Sequence, residues 1–382
     1  MNPKKHILIF SDWYLPGYKA GGPIQSCANL VDRLKTVYNF SIVCKDTDFG
    51  ETQSYIGITS NEWTQVEEGI RIFYISVDKL NASTIKKLLQ GNYDALYLNS
   101  LFSVYFTLLP LWYSKTIKKI VLAPRGMFGA GALGVKPLKK KLFLSLSKPL
   151  GLYSNVSWQA SSVLESNDIK AVFGDKASIT IAPNLSPLRT LLYVKREKKV
   201  NEIKLFFLSR ILPIKNLLAV FDYLEKVDPI YGITFEIIGP IEDRAYWGAC
   251  LKKIEILKDS RPAIKINYIG SLKNKDLSAK LAEYHCMILP TFNENFGHVI
   301  LDSLAAGCPV ILSDQTPWKN LSERKIGWDI RLAMGEKFVQ AIETISAMDE
   351  TKFNELSLNA FQEAVKYYNN KDLVDQNMKL FE

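Results

Sequence analysis

Apolar runs of three to five residues recur along the chain, each closed by glycine, proline or polar residues and followed by a stretch with helical spacing. In the first half the runs are residues 7–10, 40–44, 71–75, 95–98 and 120–123. A loop with Pro16, Gly17, Gly21, Gly22 and Pro23 follows the first run, and residues 24–35 have helical spacing. Short runs without alternation read as strands buried on both faces, the habit of parallel sheets. The second half repeats the pattern with residues 204–208, 234–238, 265–269, 287–289 and 310–312. Between the halves the chain reads Ile-Thr-Ile-Ala-Pro-Asn-Leu-Ser over residues 179–186, then Pro187 and the charged, poorly apolar stretch 195–202, the composition of a domain junction. The alternation predicts an α/β protein of two Rossmann-like, doubly wound domains, 1–186 and 187–360. Residues 355–382 read as helical, with apolar positions at Phe361, Val365, Tyr368 and Leu373.

A length of 382 residues exceeds one ordinary core and suits two domains of about 150–200 residues. At 47% hydrophobic and 12% aromatic residues the chain is globular. The five cysteines, Cys27, Cys44, Cys250, Cys286 and Cys308, are scattered and lack a C-x-x-C pair, which points to reduced thiols in a cytoplasmic setting and to no zinc site. The apolar run after Met-Asn-Pro-Lys-Lys-His is too short for a signal peptide, and residues 101–113 contain Pro110 and fall short of a membrane span, so a soluble or peripheral protein is expected.

Charge divides unevenly. Residues 1–190 hold 22 Lys and Arg against 13 Asp and Glu, whereas residues 191–382 hold 26 of each, so the whole excess of +9 lies in the first half. Such asymmetry suggests an anionic partner there. The densest part, from Lys136 to Lys148, interleaves Lys139, Lys140 and Lys141 with Leu142, Phe143, Leu144 and Leu146. That pattern suits a helix at an anionic membrane surface, and equally a soluble helix with a solvated basic face.

The most specific chemistry lies in Pro290-Thr-Phe-Asn-Glu294-Asn-Phe-Gly-His-Val-Ile-Leu-Asp302-Ser-Leu-Ala-Ala-Gly-Cys-Pro-Val-Ile311. The order is strand, loop, helix, strand. Glu294 falls in the loop at a strand's carboxyl end and Asp302 on the helix beyond it. A helix start presents free N–H groups and a positive dipole end, which suit a phosphate, while the acids suit sugar or ribose hydroxyls.

This segment resembles glycosyltransferase family 4, whose signature is Glu, seven residues, a second Glu, then Ala-x-Ala-x-Gly-x-Pro-Val-Ile. Here Asp302 stands at the second acid, one methylene short. The resemblance implies a GT-B fold, two Rossmann-like domains facing across a cleft, with a tail at 361–382 crossing back to the first. It also implies a retaining transferase that needs no metal or other cofactor, takes a donor such as a UDP- or GDP-sugar, and binds the donor in the second domain and the acceptor in the first. On the same resemblance Glu294 holds donor sugar hydroxyls with backbone N–H groups of Asn295, Phe296 and Gly297, and Asp302 holds the ribose. Arg210 and Lys215, in Ser-Arg-Ile-Leu-Pro-Ile-Lys-Asn after a strand, resemble the family's Gly-Arg-x4-Lys and would clamp the diphosphate as its charge develops. Gly21 and Gly22 resemble the glycine loop that lets backbone approach the donor, with Lys19 and Gln25 nearby. Gly239-Pro240 matches the turn that shapes the nucleotide pocket. Arg125, in Pro-Arg-Gly-Met after a strand, takes a position where many relatives have His; it can steady phosphate or orient the sugar but stays protonated and is no base.

Other patterns carry less. Asp46-Thr-Asp48 is a D-x-D that reads as a strand-end turn rather than a metal site. Gly129-Ala-Gly131-Ala-Leu-Gly134 fits G-x-G-x-x-G but lacks the acid about twenty residues on that a ribose needs. Glu236 reads as a paired strand residue, and His298 as packing near the donor. The expected activity is transfer of a sugar to a saccharide or polyprenyl-linked saccharide in bacterial capsule, O-antigen or exopolysaccharide assembly, at the cytoplasmic face of the membrane. The rivals are a sugar-nucleotide epimerase or hydrolase on the same fold, and a silent sugar- or nucleic-acid-binding protein; no nucleic-acid motif accompanies the basic half.

Overall fold

Every apolar run becomes a strand, and outside the largely exposed edge strand Ile264–Gly270 the side chains of these runs are mostly covered on both faces. The computed structural model describes residues 3–114, 116–129, 143, 144, 147, 151–272 and 274–382. Chain contacts divide it into two units, residues up to 188 with 370–382, and residues 189–369. Its architecture is GT-B-like, with two α/β units each built on a mostly parallel sheet.

Among the described residues the first unit has strands β1 His6–Phe10, β2 Asn39–Lys45, β3 Trp63–Glu67, β4 Ile70–Ile75, β5 Ala95–Leu98, β6 Lys119–Leu122, β7 Val156–Ala160 and β8 Ile179–Ile181. Their order is β3-β4-β2-β1-β5-β6-β7-β8, parallel except for the hairpin of β3 with β4. The second unit has β9 Glu202–Leu208, β10 Gly232–Ile238, β11 Ile264–Gly270, β12 Cys286–Leu289, β13 Val310–Ser313 and β14 Gly327–Ile330, in the order β11-β10-β9-β12-β13-β14 and parallel throughout. Strand order reverses between β1 and β5 in one sheet and between β9 and β12 in the other. Crevices for ligands open at the carboxyl ends of strands at such reversals.

The helices introduced below are α1 Gly22–Leu34, α2 Ala82–Leu88, α3 Leu109–Tyr113, α4 Val163–Phe173, α5 Leu217–Lys226, α6 Arg244–Ser260, α7 Asn274–Leu281, α8 His298–Ala305, α9 Gly335–Ser346, α10 Glu350–Tyr368 and α11 Asp372–Met378. In the second unit Phe206, Phe207, Phe221, Phe235 and Phe338 are fully buried, and Tyr223 stacks on Phe338 at 4.7 Å. Burying each such ring contributes about 2 kcal/mol by area. No helix of the described residues is long and apolar enough to cross a membrane; residues 104–113 form a π-helical turn running into α3.

Four strands escape the apolar pattern. Trp63–Glu67 is a half-exposed edge with polar residues, Ile179–Ile181 has three residues, and Val156–Ala160 and Gly327–Ile330 mix polar with apolar. The tail also differs from expectation. Helix α10 runs without a break through residue 361 and belongs to the second unit, so the segment that joins the first unit begins at 370. There Asn377 donates to the Pro183 carbonyl at 2.8 Å, and Phe381 packs against Tyr38 at 5.4 Å and Tyr97 at 6.0 Å.

The charged stretch read as a domain junction contains two buried cations. Arg196 donates to the carbonyls of Ala282 at 3.0 Å, Gly307 at 3.1 Å and Ala306, and to Ser357 Oγ at 3.0 Å, so it closes the carboxyl end of α8 where a cation is favoured. Lys198 Nζ donates to the Ser346 and Met348 carbonyls at 2.8 and 3.1 Å beyond α9, and burial pushes its ammonium down to about 8. Arg196→Met, by leaving several buried carbonyls without donors, is expected to cost about 3 kcal/mol of unfolding free energy. Urea unfolding checks this, and an unchanged midpoint would make the arginine dispensable.

Candidate active site

Two loops that follow neighbouring strands build the centre of the second unit. After β9 the chain runs Ser209, Arg210, a turn of 3-10 helix at Pro213–Lys215, and Asn216 at the start of α5; after β12 it runs through residues 290–297 into α8. The loops are laced together. Phe292 N–H donates to the Ile214 carbonyl at 2.8 Å, Thr291 Oγ1 donates to the same carbonyl at 3.0 Å, and Asn216 Nδ2 donates to the Pro290 carbonyl at 3.0 Å. A third strand end braces them, because Glu294 N–H donates to the Gln315 carbonyl beyond β13 at 3.0 Å.

That lacing delivers Lys215 Nζ to within 2.8 Å of Glu294 Oε2 and 3.3 Å of the Asn293 carbonyl. The lysine is 8% exposed. Burial alone would raise the Glu294 pKa, but Lys215, with smaller help from His298 and Arg210, holds it below the usual 4.5. Glu294 is therefore an ionised acceptor at neutral pH. Its other oxygen accepts the N–H of Asn295 at 3.1 Å, so that N–H, expected to face a ligand, is bonded within the loop.

Arg210 lies nearer the surface and pairs with Glu242 at 2.7 Å. The Gly239-Pro240 turn that follows β10 lies directly on the arginine's backbone. A Cβ at Gly239, whose φ is 140°, would sit 1.9 Å from the Ser209 carbonyl oxygen. Glycine is required there for backbone contact, so Gly239 acts on the site by fixing Arg210, and Tyr268 OH holds the turn by donating to the Gly239 carbonyl at 3.0 Å.

Gly297 caps α8 in the left-handed region, with φ 81°. Phe296 does not face the loop's open side: it is 6% exposed and packs against His298 at 4.8 Å, Trp318 at 6.3 Å and Tyr367 at 5.6 Å. Trp318 Nε1 also donates to its carbonyl at 2.7 Å, so the residue anchors the helix start in the core. Asp302, one turn along α8, accepts from Arg189 Nη2 at 2.8 Å, while Arg189 Nη1 donates to Ser278 Oγ at 3.0 Å. Burial raises the Asp302 pKa and Arg189 partly offsets this. Neither Arg189 nor Glu242 has a local sequence signal, since each meets its partner only through the fold. Glu236, in β10, is paired with Tyr284 OH and with Lys280 at 3.3 Å.

Gly21, Gly22 and Arg125 lie in the first unit. Gly21, with φ 68°, caps α1 and Gly22 opens it, beyond the end of β1. Arg125 follows β6 with φ 55° and is pinned by neutral acceptors: Nε donates to Asn99 Oδ1 at 2.7 Å, Nη1 to Asn184 Oδ1 and Nη2 to Tyr97 OH at 2.5 Å. Asn99 in turn donates to the Pro23 carbonyl at 3.0 Å, which ties Arg125 to the glycine loop across the β1/β5 reversal. The Asp48 carboxylate accepts the N–H groups of Tyr18 and Lys19 at 2.9 and 3.2 Å, and Asp46 accepts the hydroxyls of Ser54 and Ser60 at 2.8 Å each. Both acids brace loops. Among the described residues no group of three or more His, Cys, Asp or Glu side chains is placed to hold a metal ion. Beyond Gly129 the G-x-G-x-x-G run lies outside the described residues.

A basic pair, an ionised glutamate and a helix start converge at the β9/β12 reversal, and residues 191–345, which contain them all, match the family model of glycosyl transferases group 1. The chain carries a group 1 glycosyltransferase domain. Through that domain it is a glycosyltransferase enzyme. No curated protein sequence matches the chain. Among solved structures it is similar to HepE of Anabaena in complex with UDP and glucose, at 15% identity and a TM-score of 0.68 over 98% of this chain and 97% of that one. A sucrose-phosphate synthase from Thermosynechococcus elongatus gives 15% identity and 0.69 over 99% and 98%. WaaG, a glycosyltransferase involved in lipopolysaccharide biosynthesis, gives 11% identity and 0.64 over 98% of each chain. At these identities the likeness is one of fold.

In the transferase domain Glu294 is the buried partner of Lys215. A carboxylate whose folded pKa lies below the usual 4.5 contributes stability that is full above that value and is lost as pH falls through the lower one. Glu294→Gln is expected to destabilise the domain at pH 7 by stranding Lys215. The gap between variant and parent should close as pH falls below 4.5; unfolding curves at several pH values that keep the gap constant would contradict the ion pair.

Proposed function

We propose that this transferase moves a sugar from a UDP-sugar to a saccharide or lipid-linked saccharide in bacterial surface-polysaccharide assembly. The observation that carries the reading is the Lys215–Glu294 pair at the start of α8, with Arg210 beside it. Arg210 and Lys215 take the diphosphate, Glu294 and the start of α8 at Gly297 take donor sugar hydroxyls, and Asp302 takes the ribose. As the sugar's anomeric carbon–oxygen bond to the diphosphate breaks, its electrons pass to phosphate oxygens beside the two cations. The acceptor oxygen bonds the same face of that carbon and its proton goes to a departing phosphate oxygen, which gives retention without a protein base. Arg125 and the Gly21–Gly22 loop serve the donor from the first unit, which binds the acceptor.

UDP is favoured over GDP because HepE is held with UDP and glucose, and the surface-polymer role because WaaG acts in lipopolysaccharide biosynthesis. Thermal shift with UDP, UDP-glucose, UDP-N-acetylglucosamine and GDP-mannose tests the donor, since a ligand of the folded state raises the melting temperature. Stabilisation by the GDP-sugar alone would reverse the choice. Arg210→Ala and Lys215→Ala are each expected to lower turnover roughly 10²-fold, the scale of one lost electrostatic contact to a developing anion. Near-normal rates in either would remove the clamp.

We place the enzyme in the cytoplasm, peripheral on the membrane's inner face, held by the segment from Lys136 to Lys148. Most of that segment lies outside the described residues. Its Phe143 packs on Phe102 at 5.7 Å, close in sequence to the exposed Val104, Tyr105 and Trp112. At about 1 kcal/mol for each lysine near anionic lipid, replacing Lys139, Lys140 and Lys141 with Glu is expected to release the protein from anionic vesicles. Co-sedimentation that persists in the variant, or ignores lipid charge, would favour a soluble acceptor.

A further inference from the structure

Glu165 is 2% exposed and belongs to no motif. It stands at the third position of α4, whose cap Ser162 accepts its N–H at 3.2 Å. In the usual capping box such a glutamate reaches back to the N–H of the cap residue itself. Here Oε2 passes that group and accepts Ser161 N–H at 2.8 Å and Ser161 Oγ–H at 2.9 Å, while Oε1 leaves the helix and accepts Gly126 N–H at 2.6 Å. The bond to Gly126 therefore lies outside what capping α4 requires.

Its target is the turn that aims Arg125. Arg125 and Gly126 have φ values of 55° and 76°, two successive left-handed residues, of which the first is costly for an arginine. Two groups of restraints hold that conformation. The side chain is held by Asn99, Asn184 and Tyr97, with Tyr97 OH passing its own proton to Gln159 Oε1 at 2.6 Å. The backbone is held by Glu165. A guanidinium has five N–H donors, and three are committed to these neutral oxygens. The remaining two have their direction fixed by the turn.

We propose that Glu165 is a positioning residue for the transfer reaction: through Gly126 N–H it locks the left-handed Arg125–Gly126 turn and with it the direction of the arginine's remaining N–H donors. The proposal rests on the donor-binding reading of Arg125. A carboxylate suits the task because its two oxygens accept from Gly126 and Ser161 at once. A glutamine has one acceptor oxygen and sets its NH2 against one of those N–H groups, so either the turn or the helix cap loses its bond.

The test is a double-mutant cycle on Glu165→Gln and Arg125→Ala, read as donor hydrolysis with UDP-glucose, UDP-N-acetylglucosamine and GDP-mannose, beside the melting temperature of each variant. Glu165→Gln is expected to lower kcat roughly 10- to 100-fold with little change in KM, the scale of a misplaced catalytic group. It should lower kcat no further in the Arg125→Ala background, although its effect on melting persists there. Equal losses in both backgrounds, or an unchanged kcat, would overturn the proposal. If Arg125→Ala itself keeps full turnover, the donor reading of Arg125 falls instead. A second measurement needs neither donor nor turnover. The Arg125 Nε–H resonance, identified by its loss in Arg125→Ala, is expected to be protected from solvent exchange by Asn99 in the parent and to lose that protection in Glu165→Gln and in Gly126→Ala, which disturbs the turn from its other side. Unaltered protection in both variants would sink the idea.

Discussion

A lysine and a glutamate 2.8 Å apart, both largely removed from water, require two loops to meet with sub-ångström consistency. The parallel register supplies this. Met287 of β12 lies beside Phe206 of β9, so both strands end at the same level and release their loops side by side. Hydrogen bonds from Phe292, Thr291 and Asn216 then fix the spacing. A buried ammonium without its carboxylate would lose several kcal/mol, so the loops cannot drift apart without unpairing both charges. Preorganisation of the transferase site follows from this pair.

How much of this was readable in the chain depends on how far apart the partners lie. The parallel strands and the loop with Glu294 and Asp302 were legible because apolar runs and motif spacing are local signals. The strands Trp63–Glu67 and Gly327–Ile330 were not, since edge position and mixed polarity remove the pattern. Arg210 and Lys215 were singled out by their place after a strand and their resemblance to the family's Gly-Arg-x4-Lys, whereas Arg189 meets Asp302 across 113 residues and Arg125 meets Asn184 across 59. No spacing rule marks such pairs. Composition marks residues 195–202 only as a charged junction, and does not show that Arg196 and Lys198 are drawn inward because helix ends offer them unpaired carbonyls. The Asn295 N–H was assigned to a ligand because the motif shows order along the chain, not which acceptor a backbone group meets within its own loop.

The same loops also separate fixed from exchangeable charge. The Arg210–Glu242 side chains are 38% and 29% exposed, against 11% and 17% for Lys215–Glu294. A pair exposed to that degree is worth about 0–1 kcal/mol, so a diphosphate can displace Glu242 from Arg210 at small cost. Lys215 need not exchange. Its ammonium has three protons, two directed at Glu294 and Asn293, which leaves one for an incoming oxygen anion. On the proposed clamp, Arg210 would be the part that changes partner as a donor enters, and Lys215 the part whose place is set beforehand by Glu294. On that proposal, substitutions at Glu242 would act on how readily a donor binds, while those at Glu294 would act on the geometry that the departing phosphate meets.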